Sequence, residues 1–109
     1  MHEFSQIRAF LAVAELHSFV AAARLLSMTA PSVTRAVSAL EDRLGVQLLL
    51  RTTRQVSLTS AGAIYAARVK PLLAEFEKAA EEVREEQGEA AGLLRINAPM
   101  SLGLQVLPD

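Results

Sequence analysis

A chain of 109 residues, 51% of them apolar, can enclose one modest core but not two complete domains. Its formal net charge of -1 argues against a polycation that clings to nucleic acid by charge alone, and the absence of cysteine removes disulfides and thiolate metal sites. No run is long and apolar enough to span a membrane, and His2 and Glu3 at the start do not read as a signal peptide, so the expectation is a soluble, cytoplasmic protein.

The charge is uneven along the chain. Residues 1–58 carry Arg8, Arg24, Arg35, Arg43, Arg51 and Arg54 against Glu3, Glu15, Glu41 and Asp42, a net of +2, whereas residues 59–109 have a net of -3. A basic front and an acidic back point to different partners for the two parts.

The first helical pattern is FSQIRAFLAVAEL, in which Phe4, Ile7, Phe10, Leu11 and Ala14 recur three and four apart. It should stop near Leu16, His17 and Ser18. Ser18 then reads as the N-cap of a short helix whose apolar face is Phe19, Ala22, Ala23 and Leu26. His17 reads as a loop or capping residue, since no second ligand lies at metal spacing. After the elbow Ser27, Met28, Thr29, a third helix should begin with Thr29 as N-cap and Pro31 in the first turn, and end at Gly45. Val33, Val37, Leu40 and Leu44 form its narrow apolar stripe. Opposite them sit Pro31, Ser32, Arg35 and Ser38, with Thr34 on the flank. A face needing only solubility would more typically carry Glu and Lys, which favour helix more than Ser and Thr do.

Residues 47–50 and 55–58 break the helical rhythm and read as two short strands around the polar tip Arg51, Thr52, Thr53 and Arg54. Thr59 caps a long helical segment to about residue 87, interrupted by Pro71, whose missing N–H removes one helical hydrogen bond. Along it Tyr65, Val69, Leu72, Phe76, Ala79 and Val83 alternate four and three apart, a heptad stripe that would stay wet on an isolated helix. GEAAG at residues 88–92 is expected to break the helix. LLRINAPM after it reads as a buried strand opening a further domain.

A short helix, a tight elbow, a helix with a compact polar face and then a hairpin is the winged helix-turn-helix arrangement. Small residues near the start of such a helix let its backbone approach base edges in the major groove. Arg35 has the donors to pair with a guanine edge or to brace a phosphate. Read singly, each residue also has a plainer role: Thr29 as a cap, Arg35 and Arg43 as solvated charges, Arg51 and Arg54 as solubility residues of a hairpin tip. A winged-helix protein-interaction module using the heptad helix is the alternative function. No nucleophile with a base, paired carboxylates or phosphate loop supports an enzyme.

The stretches FLAVAELHSFVAAARLL, SMTAPSVTRAVSALEDRLGVQLL, RTTRQVSLTSAG and GLLRINAP together make the chain resemble the N-terminal part of LysR-type transcriptional regulators over almost its whole length. The resemblance implies a mainly α fold. A winged helix-turn-helix DNA-binding domain would occupy residues 1–58, a linker and dimerisation helix 59–87, and a hinge with the start of an effector-binding domain 88–109. It implies binding of double-stranded DNA as a homodimer, tetramers in full-length proteins, and a small-molecule effector in a domain beyond this fragment, which itself would need no cofactor. It places Thr29, Ala30, Pro31, Ser32, Thr34, Arg35 and Ser38 on the groove-facing helix, and Arg51, Thr52, Thr53 and Arg54 on the wing. Two positions depart from the family's habit: Ala30 stands where many members have Gln, and Ser38 where a basic residue is common. Base readout would then shift toward Arg35 and DNA shape.

Overall fold

The computed structural model describes residues 2–52 and 55–96, and the side chains of residues 3–52 and 55–87. Thr53, Arg54 and residues 97–100, the second half of the expected C-terminal strand, lie outside the described residues. The elements are α1 (His2–Leu16), α2 (Phe19–Leu26), α3 (Ala30–Leu44), β1 (Leu49–Arg51), β2 (Val56–Leu58) and α4 (Ser60–Ile96). They fall into two compact units, Met1–Leu72 and Leu73–Asp109.

The first unit is organised by α1, which packs against α2, α3 and β2. Contact on several sides explains why α1 buries more than the single stripe its spacing predicts. Ala9, Phe10 and Val13 are fully enclosed and Ala12 nearly so, while Phe4, Leu11 and Ala14 are only half-buried. Phe10 and Val13 join Val33, Val37 and Leu40 of α3 and Leu48 and Leu49 at the start of the wing to make the core. Each such side chain contributes about 1.5–3 kcal/mol by leaving water. Leu44, expected on the same stripe, is instead partly exposed, because at the end of α3 it borders an open apolar groove with Val46 and Ile64.

Local signals set the helix ends. His17 takes a left-handed conformation (φ 55°) and its N–H donates to the Val13 carbonyl at 2.7 Å, stopping α1. The His17 Nδ1 lies 3.0 Å from the Val56 carbonyl oxygen and so ties that corner to β2. The Ser18 hydroxyl accepts the Ala21 N–H at 3.0 Å and starts α2. Gly45 (φ 73°) closes α3 in the left-handed region where a Cβ is disfavoured, its N–H donating to the Glu41 carbonyl at 2.8 Å.

The strands are antiparallel, with Leu49 opposite Leu58, Leu50 opposite Ser57 and Arg51 opposite Val56. The first begins two residues later than its sequence suggests because the residues before it have other partners. The Gln47 carbonyl accepts from the Thr59 hydroxyl at 2.6 Å, and the Leu48 carbonyl from the Thr59 N–H at 3.0 Å. Thr59 also accepts the Gly62 N–H at 2.9 Å and so caps α4 while bonding to the segment that precedes the wing.

The helix α4 corrects the expected break at residues 88–92: it continues through Gly88 and Gly92 to Ile96, so residues 93–96 are helical rather than extended. Each glycine costs a helix only about 1 kcal/mol relative to Ala, and the Glu, Ala, Leu and Arg around them are strong helix formers. Pro71 also lies inside α4.

Candidate nucleic-acid interface

The elbow between α2 and α3 is made by a serine in a conformation usually left to glycine. Ser27 has φ 57° and ψ 44°, and its N–H reaches the Ala23 and Arg24 carbonyls, while the Met28 N–H donates to Ala23 at 2.8 Å. Satisfying the last carbonyls of α2 in this way ends it within one residue and sends the chain straight into α3. Ala22 and Ala23 are buried at the α2 contact, where small side chains permit close approach.

Thr29 accepts the Ser32 N–H at 3.2 Å and donates its own hydroxyl hydrogen to Ser32 Oγ at 2.7 Å. Ser32 Oγ in turn accepts from Arg35 Nη2 at 3.2 Å. A chain of three side chains thus runs along the first turn and holds the guanidinium on the outer face, where Thr29, Pro31 and Arg35 are exposed and Ala30, Ser32, Thr34 and Ser38 are half-buried. Thr34 donates to the Ala30 carbonyl at 3.1 Å, which leaves its methyl and hydroxyl lone pairs on the flank. The positive end of the α3 dipole and the Arg35 cation make this end of α3 electropositive. Compact hydrogen-bonding groups around one cation, backed by a buried aliphatic stripe, can meet an anionic, donor-and-acceptor-rich surface such as a DNA groove.

The wing is less simple. Thr52 and Gln55 close the described part of the tip, with the Thr52 N–H and hydroxyl donating to the Gln55 carbonyl at 2.9 and 3.0 Å, and the Gln55 N–H donating back to the Thr52 hydroxyl at 3.0 Å. Arg51, expected to reach outward, has its guanidinium 3.7 Å from Glu41 Oε1 and 4.8 Å above the Phe19 ring. Glu41 was not among the expected functional residues. Its Oε2 accepts the N–H groups of Leu48 and Leu49 at 2.8 and 3.2 Å, both on fully buried residues, where an unmade hydrogen bond costs about 1–3 kcal/mol. One signal was present in the sequence: acidic residues near a helix C-terminus oppose its dipole, so Glu41 and Asp42 just before Leu44 imply a compensating partner.

Residues 4–63 match the family model described as "Bacterial regulatory helix-turn-helix protein, lysR family". The chain belongs to the lysR family. It is similar to the probable hydrogen peroxide-inducible genes activator of Streptomyces viridosporus, with 46% identity over 104 residues, covering 95% of this chain and 33% of that protein. It is likewise similar to the HTH-type transcriptional regulator PtxR of Pseudomonas aeruginosa, 42% identical over 95 residues, covering 87% of this chain and 30% of that protein. The chain therefore spans about a third of the length of the curated relatives it matches. Among solved structures, the CbnR_DBD–DNA complex superposes with a TM-score of 0.69 at 36% identity, covering 77% of this chain and 97% of that one. The BenM_DBD/catB site 1 DNA complex gives a TM-score of 0.71 at 32% identity, covering 75% of this chain and 91% of that one. These likenesses establish the fold of this lysR-family chain as a winged helix-turn-helix followed by a long helix.

The heptad stripe of this lysR-family member divides. Tyr65, expected in an intersubunit seam, packs within its own chain, its ring centroid 5.9 Å from that of Phe10. Burial is the first cause that raises its hydroxyl above the usual tyrosine pKa, with Glu3 adding to the shift and Arg43 opposing it. Glu3 and Gln6 of α1 both meet Arg43 of α3, and Lys70 of α4 lies 3.7 Å from Glu15 of α1. Val69 is half-buried. The water-facing apolar residues are Ile64 (67% exposed), Leu72 (67%), Phe76 (47%) and Val83 (68%), with Ala79 exposed as well. The tyrosine is thus a correction to the expected stripe, engaged within its own chain. Among the described residues no helix is long and apolar enough to cross a membrane.

Proposed function

We propose that this chain is the DNA-binding part of a transcription regulator, placing the N-terminal half of α3 in the major groove of double-stranded DNA as a homodimer. The observation that carries the reading is the Thr29–Ser32–Arg35 chain of hydrogen bonds on the outer face of α3, which preorganises one cation among compact polar groups. Two similar chains, CbnR_DBD and BenM_DBD, were solved as DNA complexes, which favours nucleic acid over a protein partner for this face. Thr29, Ala30, Pro31, Ser32, Thr34, Arg35 and Ser38 would be the groove-side residues, and Thr52, Thr53 and Arg54 of the wing would contact flanking backbone or minor groove. Two copies, joined through the exposed stripe of α4, would read a roughly palindromic site in halves. By likeness to the longer relatives, the same arrangement would act in the cytoplasm, assemble into tetramers and answer to a small-molecule effector bound outside these elements.

Selection of bound duplexes from random DNA, followed by fluorescence anisotropy at two salt concentrations, tests the assignment. Arg35→Ala is expected to weaken binding to the selected duplex about 10- to 100-fold while barely changing binding to random DNA. Arg54→Ala should weaken both alike and lower the salt slope by about one. Equal losses on both duplexes for Arg35→Ala would remove Arg35 from base readout.

A further inference from the structure

We propose that Glu41 and Arg51 form a positioning pair that fixes the wing against α3, and that Arg51 is engaged inside the fold rather than on phosphate. The guanidinium of Arg51 meets three elements at once: it leaves β1, lies 4.8 Å above the Phe19 ring at the start of α2, and lies 3.7 Å from the Glu41 carboxylate near the end of α3. Glu41 holds the other side of the joint through the Leu48 and Leu49 N–H groups, and its side chain is only 14% exposed against 34% for Arg51. Because Leu48 passes its carbonyl on to Thr59, the carboxylate is linked through one residue to both the first wing strand and the cap of α4. A cation already neutralised by an internal carboxylate releases few counterions when a polyanion approaches. Its contribution is geometric: it sets where the wing tip stands relative to the helix whose first turn carries Arg35. The functional consequence rests on the DNA-binding reading, whereas the pair itself does not.

The two possible roles for these charges predict opposite signs. Glu41 places a negative charge in a domain facing DNA, so by plain electrostatics Glu41→Gln would tighten binding. As half of a positioning pair, it should weaken it. Gln retains an oxygen to accept from Leu48 and Leu49 but offers Arg51 no charge, so the substitution frees the wing while leaving the hydrophobic contacts beneath it.

The experiment compares the full chain, Glu41→Gln and Arg51→Ala on one selected duplex over a range of salt. Both variants are expected to bind about fivefold more weakly, with Arg51→Ala keeping the wild-type salt slope. Tighter binding by Glu41→Gln, or a slope reduced by about one in Arg51→Ala, overturns the proposal. In the absence of DNA, the Arg51 Nε–H resonance should move and exchange faster in Glu41→Gln while the Leu48 amide stays protected. An Arg51 resonance unaffected by Glu41→Gln also overturns it. Failure of the wild-type chain to bind any duplex, with the resonance behaving as expected, would refute the DNA reading and leave the pair standing.

Discussion

Gly62→Ala is expected to lower the unfolding temperature by roughly 10 °C. A Cβ at this position would sit 2.0 Å from the Leu48 carbonyl oxygen and 2.9 Å from its carbon. Both are backbone atoms, held by the Thr59 N–H on one side of the residue and the Glu41 carboxylate on the other, so neither can swing aside. Overpacking against such a wall costs about 3 kcal/mol or more, and the roughly 1 kcal/mol that Ala gains over Gly in a helix offsets only part of it. Gly45→Ala provides the contrast. There a Cβ would meet nothing within 4 Å, and the cost, about 1 kcal/mol, comes from the left-handed φ of 73° alone. Thermal unfolding followed by circular dichroism orders the two variants. A Gly62→Ala chain melting at or above the wild-type temperature would mean that α4 does not start against Leu48.

Leu72→Glu should abolish dimers without unfolding the chain, and with them most of the DNA affinity. Leu72 is 67% exposed, so within one chain the substitution exchanges one water-facing helix former for another. Across a seam with a second copy it would bury a carboxylate without a partner, a far larger penalty. Linking two half-site binders raises affinity by about a hundredfold to ten-thousandfold, and this gain disappears when the link is cut. Light scattering should report a monomer where the wild type is a dimer, and anisotropy a loss of at least about a hundredfold on a two-half-site duplex. A fully dimeric Leu72→Glu chain would move the interface away from this part of α4.

What could be read from sequence was what neighbouring residues decide. Thr29, Pro31 and Gly45 bracket α3 because capping and φ preference act within a turn, and Ser18 marks the start of α2 for the same reason. The features that escaped depend on residues far along the chain. Arg51 looked like an outward cation because nothing in RTTRQ announces Glu41 and Phe19 as its partners. The late start of β1 follows from Thr59 capturing the Gln47 and Leu48 carbonyls, a bond across eleven or twelve residues. Tyr65 fits the heptad rhythm, yet the same spacing serves packing on Phe10 equally well, since periodicity gives a face and not its partner. The run GEAAG suggests a break because glycine weakens helices, but the weakening is small beside the propensity of its neighbours.

The most direct test follows backbone amide shifts of the 15N-labelled chain during titration with a duplex recovered by selection. The account predicts that the largest changes fall on residues 29–38 of the recognition helix and its cap, with smaller ones at the wing and little at the buried stripe of Val33, Val37 and Leu40 beyond what their neighbours transmit. Changes concentrated on α1 or on the C-terminal half of α4, with residues 29–38 unmoved at saturation, would contradict it.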